Sequence, residues 1–496
     1  MADKTKFIEE LNAKYQPKGE YITLGKGMLG GDVITEVDVN IPLKTINRHG
    51  LIAGATGTGK TKTLQVFVEQ LSHKGIPTLV MDIKGDLSGI AVEGEQNDKI
   101  NERYAKTKLP YQPQSFPVEL MTISAEKGLK LRATVTEFGP VLLSKILGLN
   151  DTQSSIMSIV FKYADDKGLP LIDLDDLKKT LQYVTDNDEG KKELASNYGA
   201  ISPASLGAIL RSIVAMEQQG ATSFFGEPSF DVEDLLQTRG GKGVVNVLRV
   251  ADIQNQPQLF STFMLSLFAE IYMTFPEEGD SGKPKLVLFI DEAHLIFNEA
   301  SKALLSQIET MVKLIRSKGV GIYFITQIPG DVPENVLAQL GLKIQHALRG
   351  FTAKDRKEID KAVENYPITE YYDAGNLIQN LGIGEAFVTA LDEKGIPTPL
   401  VQTYLISPES RMDVLSSDEI DDLVNASDLA EKYNKEIDKE SAYEILTKRM
   451  ETAAAAEQEI KQEKSTARQP KEEPGMFEQV LKSRAGRTFT NTLARE

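Results

Sequence analysis

The 496-residue chain carries 72 acidic against 56 basic residues, a formal net charge of −16, and is 41% hydrophobic. It has no cysteine, so disulfides, thiolate zinc sites and cysteine nucleophiles are excluded, and its four histidines, His49, His73, His294 and His346, lack zinc-ligand spacing. The acidic balance argues against a broadly basic surface that coats DNA, although it leaves room for a local basic channel.

At about 150 residues per domain, two or three units are expected. The opening Met1–Lys6 is not followed by a signal-peptide core, and no run of about 18 apolar residues occurs. A soluble, cytoplasmic protein without a membrane anchor is therefore expected. Residues 1–48 begin with a helical segment. Tyr21–Leu24 and Asp32–Val39 then alternate around Gly25, Gly27, Gly30 and Gly31, the pattern of a small antiparallel unit beside the next domain.

Gly50-Leu51-Ile52-Ala53 reads as a buried strand, and Lys62–Lys74 reads as a helix with apolar Leu64, Val66, Phe67 and Leu71. Between them Gly54-Ala55-Thr56-Gly57-Thr58-Gly59-Lys60-Thr61 spells G-x-x-x-x-G-K-T. The glycines let backbone N–H groups converge on phosphate oxygens, and the helix N-terminus adds partial positive charge. Lys60 would reach the β- and γ-phosphates and Thr61 would ligate Mg²⁺, which makes Gly54 to Lys62 the nucleotide-contacting run.

Thr78–Asp82 is a second buried strand. Asp82, Lys84 and Asp86 at its carboxyl end stand either near a ligand or in an ordinary turn. Residues 119–123 suggest another strand, and about 140–220 turn helical, as in Ser154–Tyr163 and Asp175–Val184, an insertion with no recognisable chemistry. Arg239-Gly240-Gly241-Lys242 is read as a plain turn ahead of a basic pore loop. Gly243–Leu248 resumes the sheet, and Leu259, Phe260, Phe263, Met264, Leu267, Phe268, Ile271 and Tyr272 mark a core helix without a cofactor role.

Lys285–Ile290 is an apolar strand ending in Asp291 and Glu292. Asp291 would hold the Mg²⁺ shell and Glu292 would polarise the attacking water; mere helix capping is the alternative. A helix from about residue 301 buries Leu304, Leu305, Ile308, Met311, Val312 and Ile315 and closes near Arg316, Lys318 and Gly319. The next strand, Gly321–Thr326, puts Gln327 where it would face the γ-phosphate and orient water.

Together Gly54–Thr61, Phe289-Ile290-Asp291-Glu292-Ala293-His294, Ile315-Arg316-Ser317-Lys318-Gly319-Val320-Gly321 and Ile325-Thr326-Gln327 resemble the HerA/FtsK superfamily of hexameric P-loop translocases. Within it the chain is most similar to the bacterial HerA-like proteins first catalogued as a domain of unknown function. The resemblance spans about residues 17–410. It implies an α/β P-loop NTPase fold of the RecA-like ASCE type, with a central, mostly parallel sheet. It also implies ATP and Mg²⁺ as cofactors, a homo-hexameric ring, DNA as the translocated partner, and a nuclease or other protein partner. Arg316 matches the arginine presented to a neighbour's nucleotide, with Arg349 a weaker second candidate. The spelling Asp291-Glu292-Ala293-His294 does not indicate a DEAH-box helicase, because about 230 residues separate it from Lys60 and no Q-x-x-G-R-x-G-R segment follows. His294 is accordingly read as packing.

Gly384–Ala390 and Thr398–Leu405 suggest closing strands. Beyond residue 416 the chain is acidic and helical, with Ala453–Ala456, a charged tract to Pro474 and a basic end, Phe477–Glu496, carrying Lys482, Arg484, Arg487 and Arg495. The expected organisation is a strand-rich flank over 1–45, an ATPase domain over 46–410 and a charged helical, partly flexible tail over 411–496. The competing reading is a nucleotide-gated scaffold that acts on a protein partner without moving DNA, favoured by the acidic balance and the tail. A membrane-anchored pump is a third reading, weakened by the missing apolar spans.

Overall fold

The computed structural model describes residues 3–466, apart from 255, 280, 299–301, 351, 436 and 438. It divides into one unit from Met1 to Ala442 and a second from Tyr443 to Glu496. The described part of the second unit, residues 443–466, belongs to the helix Ala442–Thr466, and the basic stretch Phe477–Glu496 lies outside the described residues. Among the described residues, no helix is long and apolar enough to cross a membrane.

The strands are β1 (Tyr21–Leu29), β2 (Asp32–Pro42), β3 (Gly50–Ala53), β4 (Thr78–Asp82), β5 (Val118–Thr122), β6 (Leu129–Lys130), β7 (Thr238–Arg239), β8 (Lys242–Gly243), β9 (Val245–Arg249), β10 (Leu286–Ile290), β11 (Val320–Thr326), β12 (Leu342–Gln345), β13 (Glu385–Thr389) and β14 (Val401–Leu405). Twelve of them form one sheet in the order β2-β1-β14-β13-β12-β3-β11-β10-β4-β9-β5-β6. From β12 to β6 every pairing is parallel, and from β12 out to β2 every pairing is antiparallel. The hairpin β1–β2 is thus the outer edge of the same sheet, joined through β14.

The parallel strands explain their own composition. β3, β4, β5, β10 and β11 are buried along their whole length, which is why they read as largely apolar runs, β5 alone carrying an internal acid, Glu119. On one face the helix Lys60–His73 packs Leu64, Phe67 and Leu71 into a core with Ile52, Val80, Phe289, Tyr323 and Ile325. The rings of Phe67, Phe289 and Tyr323 meet pairwise with centroids 5.5, 5.0 and 5.2 Å apart, which ties this helix to β10 and β11. Gly50 is glycine because a Cβ there would run into the Tyr323 ring.

Five helices, Val135–Ile146, Asp151–Asp166, Leu174–Asp186, Asp188–Asn197 and Pro203–Gln218, fill the interval between β6 and β7 as a helical insertion. β7 and β8 form a separate hairpin whose basic residues are tied down. Arg239 pairs with Glu119, and the Lys242 ammonium donates to Gln114 (2.7 Å) and to the Ser115 carbonyl (3.0 Å). That fits a structural turn and leaves these cations engaged within the fold.

Candidate nucleotide site

Strand register brings the distant motifs together. Ala53 pairs with Thr326 on one side and with Gln345 on the other, Phe324 pairs with Ile290, and Ile290 pairs with Met81. The residues that leave these strands, Gly54, His346, Gln327, Asp291, Glu292, Asp82 and Lys84, therefore emerge side by side at one carboxyl edge. Ligands of open α/β sheets collect at such an edge.

The loop Gly54–Gly59 is shaped by left-handed backbone at Gly57 (φ 78°) and Gly59 (φ 110°). Gly54 is required for a different reason: a Cβ would sit 2.5 Å from that of His346. Lys60 is buried and its ammonium donates to the carbonyls of Gly54 (2.6 Å) and Ala55 (3.2 Å), so the free loop is held closed on its own lysine. Burial and repulsion from Lys84 push the Lys60 pKa down, while Glu292 and Asp291 oppose them. That mutual influence places the lysine of the loop and the acids of β10 in one charge cluster. The Lys62 ammonium instead turns to the Met412 carbonyl (2.6 Å) and Gln65 (3.2 Å), which leaves only its backbone to the loop.

Asp291 and Glu292 are buried. The Asp291 carboxylate accepts from the Glu292 N–H (2.9 Å), and burial pushes its pKa up to about 6. Glu292 adopts φ +46°, a left-handed conformation unusual for a non-glycine residue and found where surrounding structure enforces strain. Its Oε1 pairs with Lys84, which also lies 3.9 Å from Asp291 Oδ2. His294 Nδ1 is 3.2 Å from Oε2, near enough for a charge contact but not aligned as a hydrogen bond. The expectation that His294 merely packs is thereby corrected: its ring faces the carboxylate. Asp82, pushed up to about 6 by burial, bends the following turn back by accepting from the N–H groups of Gly85 (2.7 Å), Asp86 (3.1 Å) and Leu87 (3.1 Å).

The donors suit a hydrated Mg²⁺ bound with a triphosphate. Thr61 offers a hydroxyl and Asp291 a carboxylate, and buried oxygens of Glu292 and Asp86 carry no hydrogen bond. Among the described residues no cluster of three or more acidic, His or Cys side chains could cage a metal unaided. A site that borrows phosphate oxygens needs no such cage.

Gln327 is exposed and, with Ala55, Thr56 and Arg349, lines a cavity of about 640 Å³ beside the loop. Arg316 lies elsewhere. It precedes β11 in the turn Arg316–Lys318, at the amino edge of the sheet, and with Arg48, His49, Lys313 and Lys343 borders a cavity of about 450 Å³. Arg349 thus shares the loop's edge, whereas Arg316 is a whole strand length away from it.

Three buried polar residues, His346 at this edge and Gln65 and Glu69 on the helix that leaves it, were given no role by sequence. His346 is fully buried, bonds Thr63 through Nε2 (3.0 Å), and is held neutral with a pKa of about 4 by burial and by the nearby Lys60. The strand it follows, β12, is four residues long with Lys343 and Gln345 in it, too short and mixed to stand out. On the helix Lys60–His73, buried Glu69 accepts from Ser410 and from the N–H of Glu409 (2.8 Å), and Gln65 donates to Ser410 Oγ (2.8 Å) and the Arg411 carbonyl (3.1 Å), clasping a strap after β14. Only the spacing of Lys62, Gln65, Glu69 and His73 along one helix face signals it.

Comparison with known proteins bears on this geometry. The DNA double-strand break repair helicase HerA of Saccharolobus solfataricus is 22% identical over 385 residues, 77% of this chain and 68% of that protein. The plasmid coupling protein TrwB, solved with the GTP analogue GDPNP, superposes with a TM-score of 0.51 at 15% identity, over 81% of this chain and 100% of TrwB. TrwB with ADP and Mg²⁺ gives a TM-score of 0.50 at 15% identity, over 80% and 97% of the two chains. These likenesses establish the α/β P-loop NTPase fold. Residues 29–495 match the family described as Helicase HerA-like C-terminal, and the chain belongs to that family.

Proposed function

We propose that this chain is a Mg²⁺-dependent ATPase whose subunits assemble into a ring, a homo-hexamer, that translocates DNA. The observation that carries the reading is the shared edge: Lys60, Asp291, Glu292 and Gln327 leave adjacent parallel strands, and the first three share one charge cluster. Lys60 and the loop N–H groups bind the triphosphate, Thr61 and Asp291 hold Mg²⁺, Glu292 polarises the attacking water and Gln327 orients it. Mg²⁺, when bound, supplies charge neutralisation on the β- and γ-oxygens.

Assembly is supported by the position of Arg316, which cannot serve its own subunit's loop from the opposite edge of the sheet. An arginine supplied in trans makes hydrolysis depend on a neighbour. DNA as the substrate is supported by family membership and by the archaeal relative, a DNA double-strand break repair helicase by name. ATP turnover by the wild type should vanish in Lys60→Ala and Glu292→Gln; unchanged turnover in both refutes the ATPase. Duplex or single-stranded DNA should stimulate hydrolysis at low salt and lose that effect at high salt, because counterions compete for phosphate contacts. No DNA effect at low salt would favour the scaffold reading.

A further inference from the structure

One oxygen of the base proposed for hydrolysis is already paired with a cation. Glu292 Oε1 is paired with the Lys84 ammonium, and Oε2 faces the His294 ring at 3.2 Å. Oε2 carries no hydrogen bond, but the ammonium on Oε1 draws charge from the whole carboxylate, so Glu292 is a weaker base towards water while Lys84 holds it. Lys84 is also the one member of the cluster with a way out: its side chain is 36% exposed, whereas those of Asp291 and Glu292 are 4% and 9% exposed.

The backbone that carries Lys84 is fixed. Asp82 pins the turn through three N–H groups, and Gly85 takes φ +74° to close it. Any change of partner must therefore come from the flexible lysine side chain, whose four methylenes pivot about a rigid base. Lys84 and Lys60 lie close enough for their like charges to repel, so the position that Lys60 offers to a terminal phosphate is within the field of both. An incoming γ-phosphate brings more negative charge than Glu292 alone, whereas a diphosphate leaves that place empty.

We infer that Lys84 is a latch, a positioning residue that holds Glu292 in the nucleotide-free subunit and transfers to the γ-phosphate of ATP, freeing the carboxylate for water. The inference rests on the nucleotide reading above and adds a property to it. Binding of a triphosphate must break the Lys84–Glu292 pair, and binding of a diphosphate need not. The step moves no covalent bond: one ion pair is exchanged for another, and the proton remains on Lys84 throughout.

The test is a binding cycle that needs no turnover, with ADP and the non-hydrolysable AMP-PNP titrated in Mg²⁺ buffer into the full chain by calorimetry. Glu292→Gln removes the charge that retains Lys84, so it should tighten AMP-PNP about five- to tenfold and leave ADP unchanged. In a Lys84→Ala background the same substitution should tighten AMP-PNP less than twofold. Lys84→Arg, which keeps the charge, should restore most of the difference. If Glu292→Gln tightens AMP-PNP equally with and without Lys84, the effect is removal of negative charge alone and the latch is refuted. If it tightens neither nucleotide, there is no pair to break and the latch is likewise refuted. Failure of the wild type to bind either nucleotide defeats the ATPase reading itself, and the latch with it.

Discussion

The two ends of β11 present opposite solutions to the same problem of charge. At the carboxyl end Lys60 and Lys84 are matched by Asp291 and Glu292 within a few residues of buried backbone. At the amino end Arg48, Lys313, Arg316 and Lys343 border one cavity, and among the described residues none of the four is in an ion pair. Glu364 is the one acid on the lining of that cavity, and crowding four cations around a single carboxylate is costly unless a further anion arrives. One edge is thus balanced in charge, while the other carries an excess of cations. Each edge also carries a buried histidine: His346 beside Lys60, and His49 beside Arg316, with the Ile322 N–H donating to its Nδ1 (3.0 Å).

The sharpest way to break this comparison uses one lesion from each edge. Glu292→Gln and Arg316→Ala should each lower kcat by about 10³-fold, the first by removing the base and the second by removing trans charge stabilisation. Mixed together they should regain turnover, because an interface between the two variants combines an intact Glu292 with an intact Arg316. Mixtures as inactive as the separate variants would show that Arg316 does not act across an interface.

A smaller effect should come from the two histidines. Burial holds both near pKa 4, below the unfolded value of about 6.5, so each contributes stability that is complete above pH 6.5. As pH falls from 6.5 towards 4, the unfolded chain takes up protons that the folded chain refuses, and stability is lost, of the order of 3 kcal/mol per histidine. The buried carboxyls of Asp82 and Asp291, raised to about 6, work in the opposite sense over the same window, so the histidine share is read as a difference: between pH 6.5 and 4, His346→Gln or His49→Gln should lose about 3 kcal/mol less than the wild type in denaturant titrations. An unchanged loss in both variants would mean that the histidines are not the groups responsible.

Packing differs between the edges in a way the sequence only half disclosed. The phosphate loop and the acid-tipped strand were legible because each is local: glycine spacing for one, an apolar run ended by two carboxylates for the other. The buried strands themselves were legible from the same runs, but their order in the sheet was not. What was illegible depends on contacts between segments far apart. His346 follows a short mixed strand, the charge on Lys84 acquires meaning only when β4 lies against β10, and the polar face of the helix Lys60–His73 resembles a solvated face until the strap reaches it. His294 was read as packing because the letter sequence around it resembled another helicase group, and its 3.2 Å approach to the Glu292 carboxylate is a contact that only the folded chain displays.

Two substitutions measure those hidden contacts. Gly50→Ala forces a Cβ against the Tyr323 ring at the amino edge and should cost about 1–3 kcal/mol in chemical denaturation; a neutral result would show that this aromatic ring shifts freely. Gln65→Ala removes the donor to Ser410 and Arg411 and should cost about 1 kcal/mol, with hydrogen exchange rising in the strap. Exchange that rises throughout the sheet instead would show that the strap is no separate unit.

The central claim is that segments more than two hundred residues apart meet on one nucleotide. A structure of the chain with AMP-PNP and Mg²⁺ tests it most directly. The account predicts phosphates on the N–H groups of Gly57–Thr61, Mg²⁺ between the Thr61 hydroxyl and the Asp291 carboxylate, and Lys84 withdrawn from Glu292 toward the γ-phosphate. A nucleotide seated away from Lys60, or a metal bound with no approach to Asp291, would contradict it.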